Sequence, residues 1–323
     1  MKKHKSHVSG TKDFIDINNV HRSFLEKAFA LTDELKRHPH TPLLKGKTLA
    51  MIFSKTSTRT RVSFEAGMTQ LGGHGIFIDA RTSQLGKGET VADTARTLSR
   101  FCDCIMARLY SHKDMIELAK EASIPVINGL TDLLHPCQAM ADLYTIDEKL
   151  ERLRGVELAY VGDANNNVCH SLMQLSTKLG VNMRVGCPRD YAPDKKIYNL
   201  SLKNAKVTGS SIRLFTDPVK AVEGADVVYT DTWVSMGQEK EAKQRLDDLK
   251  PYQVNRKLMK KAKPFALFMH CLPAYRGNEM TADVIDGPSS VVFDQAENRL
   301  HTQKAIMALL VNREGALRAM EHR

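Results

Sequence analysis

Apolar runs of strand length alternate along the chain with longer stretches in which apolar residues return every three or four positions. The runs KTLAMIF (47–53), HGIFID (74–79), CDCIMARL (102–109) and IPVING (124–129) are separated by segments of helical spacing, such as 61–71 and 91–101. Such alternation predicts α/β architecture, with a mostly parallel sheet flanked by helices. A second series follows the charged stretch DEKLERLRG (147–155): VELAYVGD, VNMRVGC, SIRLFTD, ADVVYTDTW and FALFMHCLP are its expected strands. Two domains with a boundary near 146–152 follow from this recurrence. SVVFDQ (290–295) reads as a last strand, and AENRLHTQKAIMALLVNR as a closing amphipathic helix.

Composition narrows the class without naming it. At 323 residues the chain is long enough for two domains, each with its own core. Hydrophobic residues at 42% and charged residues at 26% are ordinary for a globular protein, and no tract reaches the length of a membrane span. The basic start MKKHKSHVSGTKDF leads into no apolar run and no small-residue cleavage site, so export is not expected. Six cysteines, at 102, 104, 137, 169, 187 and 271, form no C-x-x-C pair and read as reduced thiols of a cytoplasmic protein, with no metal site. The net charge of +10 suits either nucleic acid or small anionic substrates. Its lysines are scattered over the N-terminus and 240–263 without interleaved aromatics, which favours a solvated surface over a nucleic-acid module.

The first chemical signal is KTLAMIF running into SKTSTRTRVSFEAGM, which sets Ser57, Thr58, Arg59 and Thr60 at a helix start directly after a strand. The first amides of a helix lack internal partners and sit at its positive dipole end, so an anion belongs there. The hydroxyls and the guanidinium of these residues add charge-assisted bonds. A Ser/Thr cap explains the hydroxyls alone but not the arginine density. No G-x-x-x-x-G-K-[ST] is present. At the strand-to-helix turn VGDANNN the dinucleotide glycine fingerprint is also missing, which disfavours a dehydrogenase. For each of its asparagines, capping is the simplest role.

Read with STRTR, five further segments carry a family resemblance: Arg108 in MARLY, HPCQ (135–138), DTWVSMG (231–237), HCLP (270–273) and DQAENRLHTQK (294–304). Together, in order from about residue 40 to 310, they resemble the ornithine carbamoyltransferases. Alone, HPCQ would pass for a turn and HCLP for a buried strand end. The resemblance implies that Ser57, Thr58, Arg59 and Thr60 hold the phosphate of carbamoyl phosphate. Arg108, His135 and Gln138 are implied to reach its carbamoyl end, Pro136, Cys137, Cys271 and Leu272 to join the carbamoyl phosphate site, and Arg299 to clamp either the carbamoyl oxygen or the leaving phosphate. Arg108, His135, Cys271 and Arg299 are the implied catalytic set, in which Cys271 either takes the amine proton or only orients the amine. Gln84, in RTSQLGKGET, is implied to reach the phosphate from a neighbouring subunit. Asn166, Asp231, Ser235 and Met236 are implied around L-ornithine, with residues 235–237 as a loop closing over it. No metal or organic cofactor is implied.

The same resemblance divides the chain into a carbamoyl phosphate-binding domain (1–148, with the C-terminal helix, about 299–323, packed back on it) and an L-ornithine-binding domain (149–298). It also implies a place in arginine metabolism, in either the biosynthetic or the reverse direction, and a homotrimer or assembly of trimers, with no nucleic-acid or membrane partner. The nearest rival is a carbamoyltransferase for another amine, such as putrescine or an acylated ornithine, and a non-catalytic regulatory protein of the same fold is the rival from another class. The first 20 residues carry no motif and read as a disordered lead or a strand-like arm.

Overall fold

The computed structural model describes residues 11–234 and 239–321. Strands β1 (Thr48–Phe53), β2 (His74–Asp79), β3 (Cys104–Arg108) and β4 (Val126–Leu130) form one sheet in the order β2-β1-β3-β4, and every pairing is parallel. Helices α1 (Arg22–Arg37), α2 (Thr58–Gln70), α3 (Val91–Phe101), α4 (His112–Glu121) and α5 (Pro136–Leu150) accompany it. Strands β1, β3 and β4 are buried almost throughout, which is why they read as largely apolar runs. Strand β2 is equally apolar but forms an edge that leaves Ile76 and Phe77 exposed.

The second sheet contains β5 (Glu157–Val161), β6 (Asn182–Gly186), β7 (Ile212–Phe215), β8 (Val227–Tyr229) and β9 (Leu267–Met269). It is also fully parallel, in the order β7-β6-β5-β8-β9. Helices α6 (Asn167–Leu179), α7 (Lys195–Thr208), α8 (Pro218–Val222), α9 (Ala242–Leu249), α10 (Arg256–Met259) and α11 (Ala282–Ile285) belong to this half of the chain.

In both sheets the first strand is central and the chain leaves it in both directions. The crevice at such a switch point, beyond the carboxyl ends of the strands, is where α/β proteins bind ligands. Phe53 pairs with Arg108 at one such edge, and Tyr229 pairs with Met269 at the other. The α5–α6 contact turns the two edges toward each other: the His135 amide donates to Ser171 Oγ at 2.8 Å, and Asn167 Nδ2 donates to the Thr131 carbonyl at 2.6 Å.

The segment 290–295 corrects the strand expectation. Ser290 makes one bridge to Phe268, after which helix α12 (Val292–Val311) begins. The β-branched pair Val291-Val292 favours a strand locally, but Phe293 faces solvent while Val292, Gln295 and Arg299 continue one buried helical face. Tertiary packing overrides propensity here. Nor is α12 amphipathic: it packs against α1, α2 and α5 and is buried on nearly every side. The closing helix is also two helices, because Asn312 ends α12 and α13 (Arg313–Glu321) follows. At the N-terminus Phe14 lies beside β4, its amide donating to the Val126 carbonyl at 2.8 Å, so the described part of the lead is a strand-like arm. Among the described residues no helix is long and apolar enough to cross a membrane.

Gly67 on α2 admits α12 closely, since a Cβ there would lie 3.2 Å from Lys304 Cγ and from Met307 Cε. Lys304 is fully buried, donating to the carbonyls of Leu35 (3.1 Å) and Pro39 (3.2 Å) and to Gln70 Oε1 (2.8 Å). Burial pushes its ammonium down to about 8. The folded value lies below the unfolded one of about 10.4, so the unfolded chain takes up this proton first as pH falls. The stability contributed by Lys304 is therefore present above about pH 10 and lost as pH falls toward 8. The stability advantage of the parent over Lys304→Met is expected to grow by on the order of 1–3 kcal/mol between pH 8 and 10. Denaturant unfolding at the two pH values checks this, and an unchanged difference would mean that Lys304 titrates like an exposed lysine.

Candidate active site

The anion half is built at the end of β1. Ser57 caps α2, its hydroxyl accepting from the Thr60 amide at 3.2 Å, while the amides of the first turn stand at the positive end of the helix. Thr60 is buried, and its hydroxyl oxygen accepts from Arg299 Nη2 at 3.2 Å. Arg299 on α12 also donates through Nη1 to Gln138 Oε1 (2.6 Å) and through Nε to Gln303 Oε1 (2.9 Å). All three acceptors are neutral, so its charge is oriented without a direct ion pair, and Asp142 is the carboxyl near enough to favour it.

Arg108, at the end of β3, is buried, and its Nε has no partner among the described residues. Burial, then the charges of Arg299 and Arg59, push it down to about 10. His135 stands at the start of α5, where Pro136 occupies the first turn. Burial and the charges of Arg299, Arg108 and Arg59 hold its imidazole far below the usual range, so it is neutral at physiological pH, and Nδ1 has no partner among the described residues. Guanidiniums set close together, unfilled polar atoms and a helix N-terminus are together chemically suited to receive an anion. An oxyanion forming there meets donors already in place.

The second half lies at the ends of β8 and β9. Cys271 Sγ donates to Asp231 Oδ1 at 3.0 Å, and the Thr232 amide donates to the same oxygen at 2.8 Å. Burial, then the charge and hydrogen bond of Asp231, raise the Cys271 thiol well above its ordinary value, so it is a thiol and not a thiolate at neutral pH. Asp231, His270 and Cys271 offer ligand-type atoms within 4.8 Å of one another. His270 is already engaged on both nitrogens: Nδ1 accepts from the Leu272 amide at 2.9 Å, and Nε2 faces Glu279 Oε1 at 3.2 Å. At the turn after β5, Gly162 has φ +126°, and a Cβ there would lie 3.0 Å from Trp233 Nε1.

Ser57, Thr60, Arg108, His135, Gln138 and Arg299 converge on one crevice edge, and Asp231, Cys271 and Leu272 lie at the other. Several residues named from the sequence stand elsewhere or are otherwise occupied. The thiol of Cys137 points into the core and donates to the Asn128 carbonyl at 3.4 Å. Asn166 caps α6, accepting from the Cys169 amide at 2.8 Å and donating to Tyr160 Oη and the Asp163 carbonyl, so its amide is fully used. Thr58 is exposed on the first turn of α2. Gln84 is exposed on the loop after β2, outside the cleft lined by Ser57, Thr58, Arg61, Phe77 and Arg81. Ser235, Met236 and Gly237 lie outside the described residues.

The sequence reading missed Lys55 and Asp142. Lys55 adjoins the STRTR run, and burial together with the Arg108 charge pulls it below the ordinary lysine range. Asp142 lies four residues beyond Gln138 on α5 and accepts from its Nε2 at 2.8 Å. That i, i+4 spacing was the available signal.

Comparison with known proteins places the chain in a family. Residues 12–148 match the family described as aspartate/ornithine carbamoyltransferase, carbamoyl-P binding domain, and residues 154–310 match its Asp/Orn binding domain. The chain is 60% identical over 273 residues to the ornithine carbamoyltransferase of Pyrococcus horikoshii, covering 84% of this chain and 86% of the relative. It is 62% identical over 269 residues to that of Methanothermobacter thermautotrophicus, covering 83% and 89%. The solved structure of ornithine carbamoyltransferase from Pyrococcus furiosus superposes with a TM-score of 0.90 at 53% identity, covering 94% of this chain and 97% of that one. The chain belongs to the aspartate/ornithine carbamoyltransferase family.

Proposed function

We propose that the protein transfers the carbamoyl group of carbamoyl phosphate to the side-chain amine of L-ornithine, giving L-citrulline and phosphate. The observation that carries this reading is the pairing of two unlike half-sites across one crevice. One is a cluster of guanidiniums at a helix N-terminus; the other is the Asp231 carboxylate, hydrogen-bonded by the Cys271 thiol.

In this reading the first turn of α2, from Ser57 to Thr60, with Arg59, binds the phosphate. Arg108, His135 and Arg299 surround the carbamoyl oxygen, with Gln138 held against Arg299. The ornithine side-chain amine has an ordinary value of roughly 10.4 and arrives as an ammonium, for which Asp231 is the anionic partner. The ammonium releases one proton to solvent as it binds beside Asp231. The neutral amine nitrogen then attacks the carbonyl carbon, negative charge collects on the carbonyl oxygen, and the bond to the phosphate oxygen breaks as the tetrahedral centre collapses. One of the two protons left on that nitrogen passes to the departing phosphate, and the other stays in the N–H of citrulline. Cys271, a neutral thiol, orients Asp231 and the amine and takes no proton itself. Carbamoyl phosphate is already activated, so no covalent enzyme intermediate is required.

The domain roles follow: residues 1–148 with the returning C-terminal helices hold carbamoyl phosphate, and 149–298 hold ornithine, with Ser235 and Met236 closing over it. We further assign a homotrimer, or an assembly of trimers, in which Gln84 serves a neighbouring subunit's phosphate. The exposed apolar edge formed by Val62, Ile76 and Phe77 beside that loop supports this assignment. A cytoplasmic location accords with six free cysteines. The test is citrulline formation from carbamoyl phosphate and L-ornithine, with putrescine, N-acetyl-L-ornithine and L-aspartate in parallel. Turnover with ornithine alone is expected; preference for another acceptor overturns the role of 231–237, and silence with all four overturns the reaction.

A further inference from the structure

We propose that Asp142 is a positioning residue for this transfer: it locks the side-chain amides of Gln138 and Gln295 in single orientations and so aligns both half-sites from one buried carboxylate. The inference rests on the proposed carbamoyl transfer and deepens it.

Asp142 is fully buried on α5. Its Oδ1 accepts from Gln138 Nε2 at 2.8 Å and from Gln295 Nε2 at 2.7 Å, and its Oδ2 accepts from the Tyr229 hydroxyl at 3.2 Å. A glutamine amide is nearly symmetric in shape, and only its partners decide which end carries oxygen. An ionised carboxylate accepts and cannot donate. It therefore draws Nε2 of Gln138 inward and leaves Oε1 for Arg299 Nη1 at 2.6 Å. With the amide reversed, an NH2 group would face the guanidinium, leaving two buried donors opposed and Arg299 free to rotate away from the carbamoyl oxygen.

The same logic runs through Gln295 to the other half-site. Its Nε2 is held by Asp142 and by Tyr229 Oη (3.1 Å), so its Oε1 accepts from the His270 amide at 3.0 Å, immediately before Cys271. One acceptor-only group thus orders the clamp on the donor substrate and the turn that carries the thiol beside Asp231. Burial raises the Asp142 carboxyl to about 7, opposed by its amide partners and Arg299, so assays belong at about pH 8.5, where it is ionised.

The test compares Asp142→Ala, Asp142→Val and Asp142→Asn with the parent in citrulline formation, after circular dichroism shows each variant folded at the assay temperature. Alanine removes the acceptor, valine removes it at nearly constant volume, and asparagine restores an acceptor oxygen for both glutamines while its NH2 faces the Tyr229 hydroxyl, which can accept. We expect kcat to fall by about 10- to 100-fold in the alanine and valine variants, with the KM for carbamoyl phosphate changed less than about threefold, and asparagine to return kcat to within about threefold of the parent.

Folded alanine or valine variants with parental kcat would overturn the proposal and leave Asp142 as a clasp between the two halves. So would an asparagine variant as impaired as alanine, because charge and not amide orientation would then matter. Failure of both alanine and valine variants to fold, beside a fully active asparagine variant, assigns Asp142 to stability alone. A parent that makes no citrulline removes the functional reading itself, a result separable from any of these.

Discussion

Replacing Arg108 with methionine is expected to lower kcat for citrulline formation by about 10³-fold without lowering the melting temperature of the ligand-free protein. Methionine keeps the apolar stem that packs at the end of β3 and removes only the guanidinium. That guanidinium is buried, its Nε has no partner among the described residues, and its charge lies close enough to Arg299 and Arg59 for each to disfavour the other. Such a group destabilises the empty fold and becomes favourable only when negative charge arrives, which is the signature of a residue kept for transition-state stabilisation. Removing one neutral oxyanion donor commonly costs 10²- to 10³-fold, and a charge-assisted bond is roughly twice as strong, so the upper end of that range is expected. Steady-state kinetics and thermal melts of the two proteins decide the matter. A loss under about tenfold, or a melting temperature several degrees lower, would make Arg108 a structural residue.

Asp231→Asn should act on the other substrate. The carboxylate is the anion available to an incoming ammonium, and truncating one member of a buried charge pair typically costs 2–5 kcal/mol. The expected result is a fall in kcat/KM for ornithine of about 10²- to 10³-fold. Carbamoyl phosphate binding, followed by calorimetry in the absence of ornithine, should stay within about twofold of the parent, because the anion half is assembled from other elements. Loss of the charge also removes the neighbour that, after burial, most raises the Cys271 thiol, so that thiol should become more reactive toward alkylating agents at alkaline pH. Equal weakening of both substrates would show that Asp231 supports the crevice and does not contact the amine.

The Arg108 prediction and the Asp142 inference draw on different levels of information. Arg108 lay inside a strand-length apolar run, CDCIMARL, and was singled out in the sequence by the family resemblance. The amide orientations around Asp142 were not visible. They depend on Arg299 Nη1 meeting Gln138 Oε1 across a separation of 161 residues, and no local pattern encodes such a pairing.

What the sequence determined by itself was the class of each layer and the sites where chemistry could sit. Strands buried on both faces must be continuous apolar runs, so β1, β3, β4 and β5 announced themselves. A Ser at a strand-to-helix junction marks a helix start wherever the rest of the chain goes, whereas HPCQ alone read as a turn and is the start of α5 only in the structure. Only the tertiary structure decided which of those groups remain available. The apolar run of β2 became an exposed edge, and the β-branched stretch at 290–295 became the first turn of a buried helix. The Asn166 amide was taken up by its cap and by Tyr160 and Asp163, while the Arg108 Nε was left without a partner among the described residues. The physical reason is the same in each case. Periodicity reports how much of a side chain leaves water, but the identity of its partner is set by which distant elements pack beside it, and polar chemistry depends on that partner.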